Sequence, residues 1–590
     1  MTDTRTWFPL AGSLTASGGP LLAAPKKKGP IDPLTGPAQA LAGRVVTMDA
    51  GFTVRADAVV YVDKGRLVAV QDRAQPVPAG FEGVVTVETG GTLFPGLIEL
   101  HNHLSYNALP LWAPVPRRFE HRGQWPVYKD YRPMISGPMT VIGKHRDAKG
   151  RPDLLPALVR YVECKCLLGG VTTSQGVKLS SNSGIQRFYC GIVRNVEQTD
   201  DVDLSEAQGR IPDVDAKDAR RFLTRLKKED SCFLLHLSEG VTDPKQPDSV
   251  ARRHFLALEV APKQWALDDT FTAIHAAGLL PQDFDVLAQY GASMVWSPLS
   301  NLLLYGGTAR VEAARAAGVL IGLGSDWSPT GSKNLLGELK VAWLYSQEEL
   351  AGAITARDLA AMATVDAARI LKWHKALGTI EPGKRADILV IDGIAGDPYE
   401  QLIRAKETDI RLVMINGVAR YGLPDLMAAL TPDDQSMKVG GNVRRLFLKQ
   451  ETADPDVAAV SLRTATTMLR DAFLDIAKLA REVERPAPVP AKRRALDAPA
   501  PTLWSLALDE IEDGGVDLRP RLPYSGPRDF TGPSRVPRRA VLAKAPALST
   551  VLKPIQLDPL TVADDEDFLD AIEQEPNLPA WIQSGLRGLY

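Results

Sequence analysis

Short apolar segments that resemble strands alternate with helical segments between residues 97 and 375. Strand-like segments lie at 97–103, 171–176, 232–240, 271–278, 291–298 and 319–326. Helical patterns at 154–170 and 311–318 both end in glycine, which commonly stops a helix. Strands that alternate with helices favour β–α units around a parallel sheet, and this segment is long enough for a (β/α)8 barrel. The sequence therefore predicts an α/β fold whose central domain, residues 96–375, is a TIM-like barrel.

Two strand-rich patches flank this segment. The first, at 39–95, contains a hairpin-turn signal at Asp63-Lys64-Gly65, and the second lies within 376–430. We expect the two patches to pair into one small β-sandwich domain built from both ends of the core.

The remaining residues lie outside this core. Residues 1–38 are rich in Pro, Gly and Ala and are predicted to form a flexible arm. A helical extension is predicted for 431–485, and a proline-rich linker with C-terminal helices for 486–590. The C-terminal part is expected to cover the barrel mouth or to form a subunit contact.

Composition excludes several classes of protein. Of the 590 residues, 45% are hydrophobic and 24% charged, which is typical of a globular chain rather than a disordered one. The 69 basic and 71 acidic residues are balanced, so a nucleic-acid partner is not expected. No apolar run approaches the ~20 residues that a membrane helix needs. The first residues do not resemble a signal peptide, and we expect a cytoplasmic protein.

Four of the eight histidines stand in short motifs at the ends of predicted strands. His101 and His103 are two residues apart on one strand, so their side chains share a face. His236 and His275 each lie near the end of a separate apolar strand. Imidazoles with a nearby carboxylate suit Zn or Fe(II), although each histidine taken alone is also explained as a hydrogen-bonded core residue.

Two carboxylates stand at equivalent positions. Asp326 follows the apolar segment VLIGLGS, where an unpaired charge is costly to bury, so metal ligation or acceptance of a water proton would explain it. Glu239 lies three residues after His236 and is a candidate proton shuttle if burial raises its pKa; a surface glutamate is the alternative. These groups share the carboxyl ends of predicted parallel strands, where barrel enzymes place their active sites.

Several segments together resemble the metal-dependent amidohydrolase superfamily, in its deaminase- and chlorohydrolase-like subtype with one metal. The similar segments are FPGLIELHNHLSYN, LLGGVTTSQG, HLSEG, VWSPLSNLLLYGG, GLGSDW and ALGTIEPGKRADILVID. The resemblance covers about 40–425 and implies a metal-dependent hydrolase.

The resemblance also implies the metal site. One divalent metal is expected, zinc before Fe(II), bound by His101, His103, His236 and Asp326. Other members of the superfamily hold two metals bridged by a carboxylated lysine, and the candidates for that arrangement are Lys165 and Lys178.

The resemblance further implies three catalytic roles. Glu239 would carry a proton to the leaving group, His275 would position the water and stabilise the oxyanion, and Asp326 would take the water proton. The implied reaction is attack of a metal-activated hydroxide on a trigonal carbon, followed by departure of an amine or ammonia.

The expected partner is a small-molecule substrate. An insertion at 104–138 carries aromatic side chains that stack on a flat ring in one interpretation and pack an irregular loop in the other. Candidate substrate-binding residues are Trp125, Asn301 and Trp327. A homo-oligomer is compatible with the resemblance, since family members often form dimers.

Three functions remain open from the sequence. The favoured one is hydrolysis of a non-peptide carbon–nitrogen bond, by deamination or by amide or amidine hydrolysis. A sister hydrolase that cleaves a carbon–halogen, ester or dipeptide bond would use the same catalytic residues. A non-catalytic scaffold is the remote alternative, because a scaffold has no need of Glu239 beside a metal site.

Overall fold

The computed structural model of the chain describes residues 34, 36–148, 150–151, 153–181, 186–431, 435–450, 453–485, 504–508 and 546–590. Most of the predicted arm at 1–38 and the predicted proline-rich linker lie outside these residues.

Within the described residues, the strands in chain order are β1 Gln39–Val46, β2 Val54–Asp63, β3 Arg66–Asp72, β4 Thr86–Pro95, β5 Leu97–Ile98, β6 Val171–Ser174, β7 Lys178–Ser181, β8 Gln186–Phe188, β9 Arg194–Asn195, β10 Gln208–Arg210, β11 Phe233–Leu237, β12 Glu259–Ala261, β13 Gln264–Trp265, β14 Phe271–His275, β15 Ser293–Trp296, β16 Leu320–Leu323, β17 Ile388–Asp392, β18 Ile410–Ile415, β19 Val418–Gly422, β20 Gln435–Val439, β21 Asn442–Leu446 and β22 Trp504–Leu506.

The α-helices of the same ranges are α1 Gly137–Lys144, α2 Leu154–Leu168, α3 Ala219–Leu226, α4 Val250–Leu256, α5 Pro281–Gln289, α6 Pro298–Tyr305, α7 Val311–Ala317, α8 Leu335–Glu349, α9 Ala356–Met362, α10 Val365–Ile370, α11 Pro398–Arg404, α12 Pro424–Leu430, α13 Pro455–Ala458, α14 Leu462–Leu474, α15 Ile476–Glu484, α16 Leu548–Val551, α17 Glu566–Glu573 and α18 Ala580–Leu589.

The two strand-rich patches of the sequence pair in one nine-stranded sheet, of order β20-β21-β19-β18-β17-β4-β1-β2-β3. β17 pairs antiparallel with β4, so that Ile388 lies opposite Pro95 across almost 300 residues of intervening chain. Lys64 and Gly65 turn β2 into β3 with φ values of 48° and 71°, in the left-handed region that a tight hairpin turn requires. Apolar side chains of β1, β2, β4, β17, β18 and β19 share one buried core.

The sheet continues past residue 430. β20 and β21 form an edge hairpin around Gly440-Gly441, which both have positive φ. The segment 431–485, for which a helical extension was predicted, therefore begins with two strands and becomes helical only at α13. Gly440 and Gly441 supply the turn between these strands. The helical pattern of the sequence begins only in the residues after this hairpin.

Eight short parallel strands lie between β4 and β17. Three pair in the order β5-β6-β9 and five in the order β10-β11-β14-β15-β16. Backbone hydrogen bonds join the edges of the two sheets: Ala207 N donates to Val196 O at 2.8 Å, and Leu100 N to Leu323 O at 3.2 Å. Helices lie in the connections from β5 to β6 and between successive parallel strands from β10 to β16, so this part of the chain has the mixed α/β character that the sequence predicts.

All 15 residues of helix α2 are buried, the charged Arg160, Glu163 and Lys165 among them. Such a helix needs cover on every side. Helix α14 packs against it, and Tyr161 donates a hydrogen bond to the carbonyl oxygen of Asp558 at 2.6 Å. The C-terminal part of the chain thus contributes to the same core as the parallel strands.

Among the described residues, no helix combines the length and the apolar character that crossing a bilayer requires.

Candidate active site

Four histidines and one aspartate converge at the carboxyl ends of the parallel strands. His101 and His103 follow β5, His236 lies within β11, His275 ends β14, and Asp326 follows β16 by three residues. His101, His236, His275 and Asp326 are 5% exposed or less, and His103 is partly buried. The structure therefore brings together five of the six residues that the sequence selects for metal binding and catalysis; the sixth, Glu239, is described below.

Their ligand atoms fall into two overlapping groups. The atoms offered by His101, His103 and His236 lie within 4.8 Å of one another, and so do those of His101, His275 and Asp326. Asp326 Oδ1 lies 3.1 Å from His101 Nε2 and 3.5 Å from His103 Nε2. Two nitrogens bound to one tetrahedral zinc ion would be ~3.3 Å apart, given Zn–N bonds of ~2.0–2.1 Å. The spacing suits a single small cation.

Neighbouring acceptors set the tautomers of two of these histidines. The Arg210 carbonyl oxygen lies 3.2 Å from His236 Nδ1, and Gln175 Oε1 lies 3.3 Å from His101 Nδ1. Gln175 Oε1 also accepts from the backbone N–H of Asn102, which identifies it as the amide oxygen. Because both oxygens only accept, each imidazole carries its hydrogen on Nδ1 and turns the lone pair of Nε2 inward.

Two contacts show that these residues fit a metal ion. His101 Nε2 is buried and has no hydrogen-bond partner among the described residues. His236 Nε2, which carries a lone pair, lies only 3.2 Å from His103 Nε2. A buried acceptor without a donor is unfavourable, and a cation between the imidazoles would satisfy both nitrogens.

Burial also keeps the imidazoles neutral. Removal from water lowers the pKa of His101, and it lowers the pKa values of His236 and His275 well below the usual range. Asp326 is also buried, and its Oδ2 accepts a hydrogen bond from Ser300, which favours the ionised carboxylate. Neutral imidazoles beside an ionised carboxylate are the protonation states that divalent metals bind.

The backbone is strained at two of these residues. His275 has φ 67° and Asp326 has φ 65°, in the left-handed region that non-glycine residues seldom adopt. Such conformations persist where the surrounding structure enforces them, and they cluster at functional sites.

Glu239 lies beside the histidines and is 3% exposed. Its Oε2 is 3.7 Å from His275 Nε2, and its Oε1 accepts a hydrogen bond from Tyr305 at 2.6 Å. Removal from water raises the pKa of Glu239 to about 7. At neutral pH this carboxyl group therefore exists in both protonation states, as a proton shuttle requires.

Residues of helix α6 orient two members of the cluster. Ser300 Oγ donates to Asp326 Oδ2 at 2.6 Å. The amide nitrogen of Asn301 lies 3.0 Å from His275 Nδ1, and its amide oxygen accepts from Thr308 Oγ1 at 3.2 Å. Since the amide nitrogen donates, His275 carries its hydrogen on Nε2 and points it toward Glu239 and the cluster.

A cavity of about 360 Å³ opens over this cluster. Its walls are aromatic on one side, where Trp125 lies 5.6 Å from Trp327 between ring centroids and Tyr106 lies 5.1 Å from Trp327. Arg122 and Asp213 also line the cavity and form an ion pair of 2.8 Å. The cavity has the size and the apolar walls of a site for a small flat molecule.

The structure separates the three candidate substrate residues. Trp125 and Trp327 line the cavity, whereas Asn301 is fully buried against His275 and is absent from the cavity wall. The other aromatic rings of the 104–138 insertion mostly pack on one another: Trp112 lies 6.4 Å from Phe119 and 6.3 Å from Tyr128 between centroids. Trp125 is therefore placed to stack on a flat ring, whereas Trp112, Phe119 and Tyr128 pack the loop itself.

The two lysines considered for a two-metal site occupy different places. Lys165 lies in α2, where its ammonium group pairs with Asp558. An ammonium group in an ion pair is not available to form a carbamate, so Lys165 does not fit a bridging role. Lys178 lines a second, smaller cavity of about 40 Å³, together with His103 and His236.

Tyr305 and Ser300 contact catalytic candidates, yet the sequence analysis does not select them. Both lie in α6, an apolar helix in which every residue is buried. A buried tyrosine needs a hydrogen-bond partner, and this requirement is the one signal that pointed to Tyr305.

Comparison with known proteins finds deaminases among the chains that are similar to this one. A 5-methylthioadenosine/S-adenosylhomocysteine deaminase of Caldanaerobacter subterraneus is 34% identical over 155 residues, which is 25% of this chain and 36% of that protein. The enzyme of the same name from Moorella thermoacetica is 25% identical over 400 residues, 60% of this chain and 89% of that protein. The match to the first relative thus spans about a third of its length, and the match to the second spans most of it.

One solved structure shares the fold. An adenosine deaminase from Xanthomonas campestris with bound zinc superposes with a TM-score of 0.51 and 18% identity, over 76% of this chain and 99% of that one. The sequence model of the amidohydrolase family matches residues 92–420, more than half of the chain. The resemblance that the motifs indicate is therefore confirmed, and the chain belongs to the amidohydrolase family.

Proposed function

We propose that this protein is a zinc-dependent hydrolase with one metal, which removes an amino group from a flat nitrogen heterocycle. The observation that carries the proposal is the position of Glu239, a buried carboxyl group with a pKa near 7, beside a histidine and aspartate cluster that suits one cation. The names of the relatives agree with a hydrolase that acts on carbon–nitrogen bonds other than peptide bonds.

The proposal includes the architecture. The two parallel sheets, joined at both edges, would be one closed (β/α)8 barrel over 96–375. The flanking β-domain would comprise 39–95 and 376–430, with the edge hairpin β20–β21 added to it. Family membership and the shared fold of the zinc-bound structure support this arrangement.

The proposed metal ligands are His101, His103, His236 and Asp326. Three imidazole nitrogens and one carboxylate oxygen form a donor set that suits zinc, with Fe(II) as the alternative. A divalent cation held here would lower the pKa of a water molecule and polarise the substrate.

The chain's own residues would do the rest of the chemistry. Asp326, whose Oδ2 accepts from Ser300, would accept the proton of the attacking water. His275 would donate from Nε2 to the charge that develops on the substrate. Glu239, fixed by Tyr305, would deliver a proton to the departing nitrogen. Trp125 and Trp327 would hold the flat ring against the cluster.

The test combines metal content with leaving-group identity. Protein purified without added metal or chelator is analysed for elements, and the same preparation is assayed for ammonia release from 5-methylthioadenosine, S-adenosylhomocysteine and adenosine. One zinc per chain with ammonia release supports the proposal. Chloride release from chlorinated heterocycles without ammonia release would instead assign the chain to the carbon–halogen alternative.

Other metal contents would point elsewhere. Two metals per chain would favour a bridged site. No metal, and none taken up on titration, would overturn the proposal in favour of a scaffold. His236→Ala serves as the control, because it removes one ligand and should abolish metal content and ammonia release together.

A further inference from the structure

Two lysines and two aspartates form a buried ionic network at the contact between the C-terminal segment 546–590 and the rest of the chain. Asp558 lies between the lysines: its Oδ2 is 2.5 Å from Lys165 Nζ, and its Oδ1 is 2.5 Å from Lys333 Nζ. Lys333 also pairs with Asp565 at 2.6 Å. The side chains of Lys165, Lys333 and Asp558 are each 2% exposed. Charges this deeply buried need partners, so removal of one has consequences for the others.

Lys165 reaches two loops of the proposed active site. Its Nζ donates to the carbonyl oxygen of Asn107 at 3.0 Å and to Ser328 Oγ at 2.7 Å. The side chain of Asn107 closes the arrangement, since its Oδ1 accepts from Ser328 N at 3.0 Å. One ammonium group thus ties together the loop after β5 and the loop after β16.

These two loops carry metal ligands and a cavity wall. Asn107 Nδ2 donates to Asn102 Oδ1 at 2.8 Å, and Asn102 stands between His101 and His103. Ser328 directly follows Trp327 and lies two residues after Asp326. A shift of Lys165 would therefore displace the two loops through these hydrogen bonds. The loops carry the proposed ligands His101, His103 and Asp326 and the cavity-wall residue Trp327.

The two lysines depend on Asp558 to different degrees. In the described parts of the chain, Asp558 is the only carboxylate that pairs with Lys165, whereas Lys333 keeps Asp565 as a second partner. Burial lowers the pKa of Lys165 to about 8 even with Asp558 present. Without Asp558, Lys165 would lose its proton or move toward water, and either change would disturb its bonds to Asn107 and Ser328.

The C-terminal segment 546–590 also forms hydrogen bonds with the 104–138 insertion. Asp558 N donates to Ala108 O at 3.0 Å, and Glu575 Oε2 accepts from Val115 N at 2.9 Å. Arg118 donates to Asn577 O at 2.9 Å. The C-terminal segment therefore lies against the residues that surround the cavity, in addition to covering α2.

We infer that Asp558 is a positioning residue of the active site, which acts through Lys165 to hold the His101–His103 loop and the Trp327 loop in place for metal and substrate. This inference rests on the proposed function, because it assumes that these loops bind a metal. It gives the C-terminal segment a role inside the active site, beyond a cover or a subunit contact.

The experiment compares Asp558→Asn with Asp565→Asn in the full chain. Both substitutions remove one buried charge from the same network, but only the first removes a partner of Lys165. Asparagine at 565 keeps the N-cap that Asp565 provides to α17. Zinc affinity is measured on metal-stripped protein by competition with a chromophoric chelator, and kcat and KM are measured on the zinc-loaded protein.

We expect Asp558→Asn to weaken zinc binding at least about tenfold, in the range seen when a partner of a metal ligand is removed. It should also raise KM, because Trp327 moves with Ser328. Asp565→Asn should keep zinc affinity within about twofold of wild type while lowering Tm to a similar extent. Equal zinc affinities in the two variants would overturn the inference and leave the proposed function standing.

Lys165→Met covers the case in which Asp558→Asn fails to fold. This variant leaves Asp558 paired with Lys333, and it removes both bonds to the active-site loops. The same loss of zinc affinity is expected, and unchanged affinity would overturn the inference. Wild-type protein that binds no zinc would overturn the proposed function and this inference together.

Discussion

Tyr305 donates a hydrogen bond to Glu239, with 2.6 Å between the phenol oxygen and Oε1, and accepts one from Trp125 Nε1 at 2.9 Å. These three residues come from separate parts of the chain: a cavity insertion, the end of α6 and the loop after β11. Together they fix one oxygen of the carboxyl group and leave the other facing His275. The chain Trp125–Tyr305–Glu239 thus connects the wall of the cavity to the proposed proton shuttle.

Tyr305→Phe should lower kcat by about tenfold or more while zinc content stays at the wild-type level. The reason is that a hydrogen bond to a charged group contributes roughly 1.5–3 kcal/mol, and the variant loses it without opening a large void. Steady-state ammonia release and elemental analysis check the two parts. Trp125→Phe is compared at saturating substrate, because Trp125 also lines the cavity and its replacement can raise KM. It removes the bond to Tyr305 but not the bond to Glu239, so it should affect kcat less. An equal or larger loss of kcat in Trp125→Phe would contradict a direct role of the Tyr305–Glu239 hydrogen bond.

Glu239→Gln should keep zinc and lose about a hundredfold to ten-thousandfold in turnover, the usual contribution of a general acid or base. Glutamine has nearly the same shape and still accepts from Tyr305, but it cannot carry a proton. His236→Ala should lose zinc and turnover together. Full activity in Glu239→Gln would show that another group moves the proton.

Ser300→Ala should weaken zinc binding by roughly 10–100-fold, because Ser300 holds the second oxygen of Asp326. Ser297→Ala supplies the control: Ser297 is also fully buried near the start of α6, and its hydroxyl has no hydrogen-bond partner among the described residues. Chelator competition on both variants measures the difference. A zinc affinity in Ser300→Ala equal to that of Ser297→Ala would contradict the role of Ser300.

His145 should make folding stability depend on pH. Its Nδ1 lies 2.9 Å from Asp153 and its Nε2 lies 3.3 Å from Glu482, so it connects the start of α2 to α15. The hydrogen bond with Asp153 raises the pKa of His145 above its ordinary value. A raised native pKa means that the stabilisation is complete below about pH 6.5, the pKa of an unfolded histidine, and is lost as the pH rises through the native pKa.

Urea unfolding of wild type and His145→Gln at about pH 6 and about pH 8.5 measures this contribution. The wild type should be the more stable protein at the lower pH, by less than about 1 kcal/mol because the pair is partly exposed, and the difference should shrink at the higher pH. If the stability difference between wild type and His145→Gln instead grew with pH, its pH dependence would have the opposite sign. That result would exclude the His145 ion pairs as the cause.

The convergence of the candidate metal-binding residues could be predicted from the sequence because its signals are local. His101 and His103 share a strand face by their spacing alone, and the cost of burying Asp326 after an apolar strand points to a cation. The strand ends then meet because parallel strands place their carboxyl ends together. Asn301 shows the limit of this reasoning: its position at a strand end predicts contact with substrate, but the structure places it behind His275.

Contacts between distant residues could not be read from local patterns. Tyr305 ends an apolar helix and resembles a core residue, and only the fold brings it to Glu239, 66 positions away. Asp558 lies in a region without periodic signal, and its partner Lys165 is 393 residues earlier. The hairpin at 435–446 was missed for a related reason. Its strand β21 pairs with β19, the edge of a sheet whose other strands come from earlier parts of the chain.

The distance along the chain between Lys165 and Asp558 also sets the order of events on the ribosome. Synthesis at roughly 5–20 residues per second would separate the emergence of these two residues by about 20–80 s. During that interval α2, whose residues are all buried in the folded protein, lacks the chain that will cover it, and the nascent protein exposes apolar side chains of the kind that chaperones bind. Catalytic competence would then wait for the synthesis of the segment 546–590.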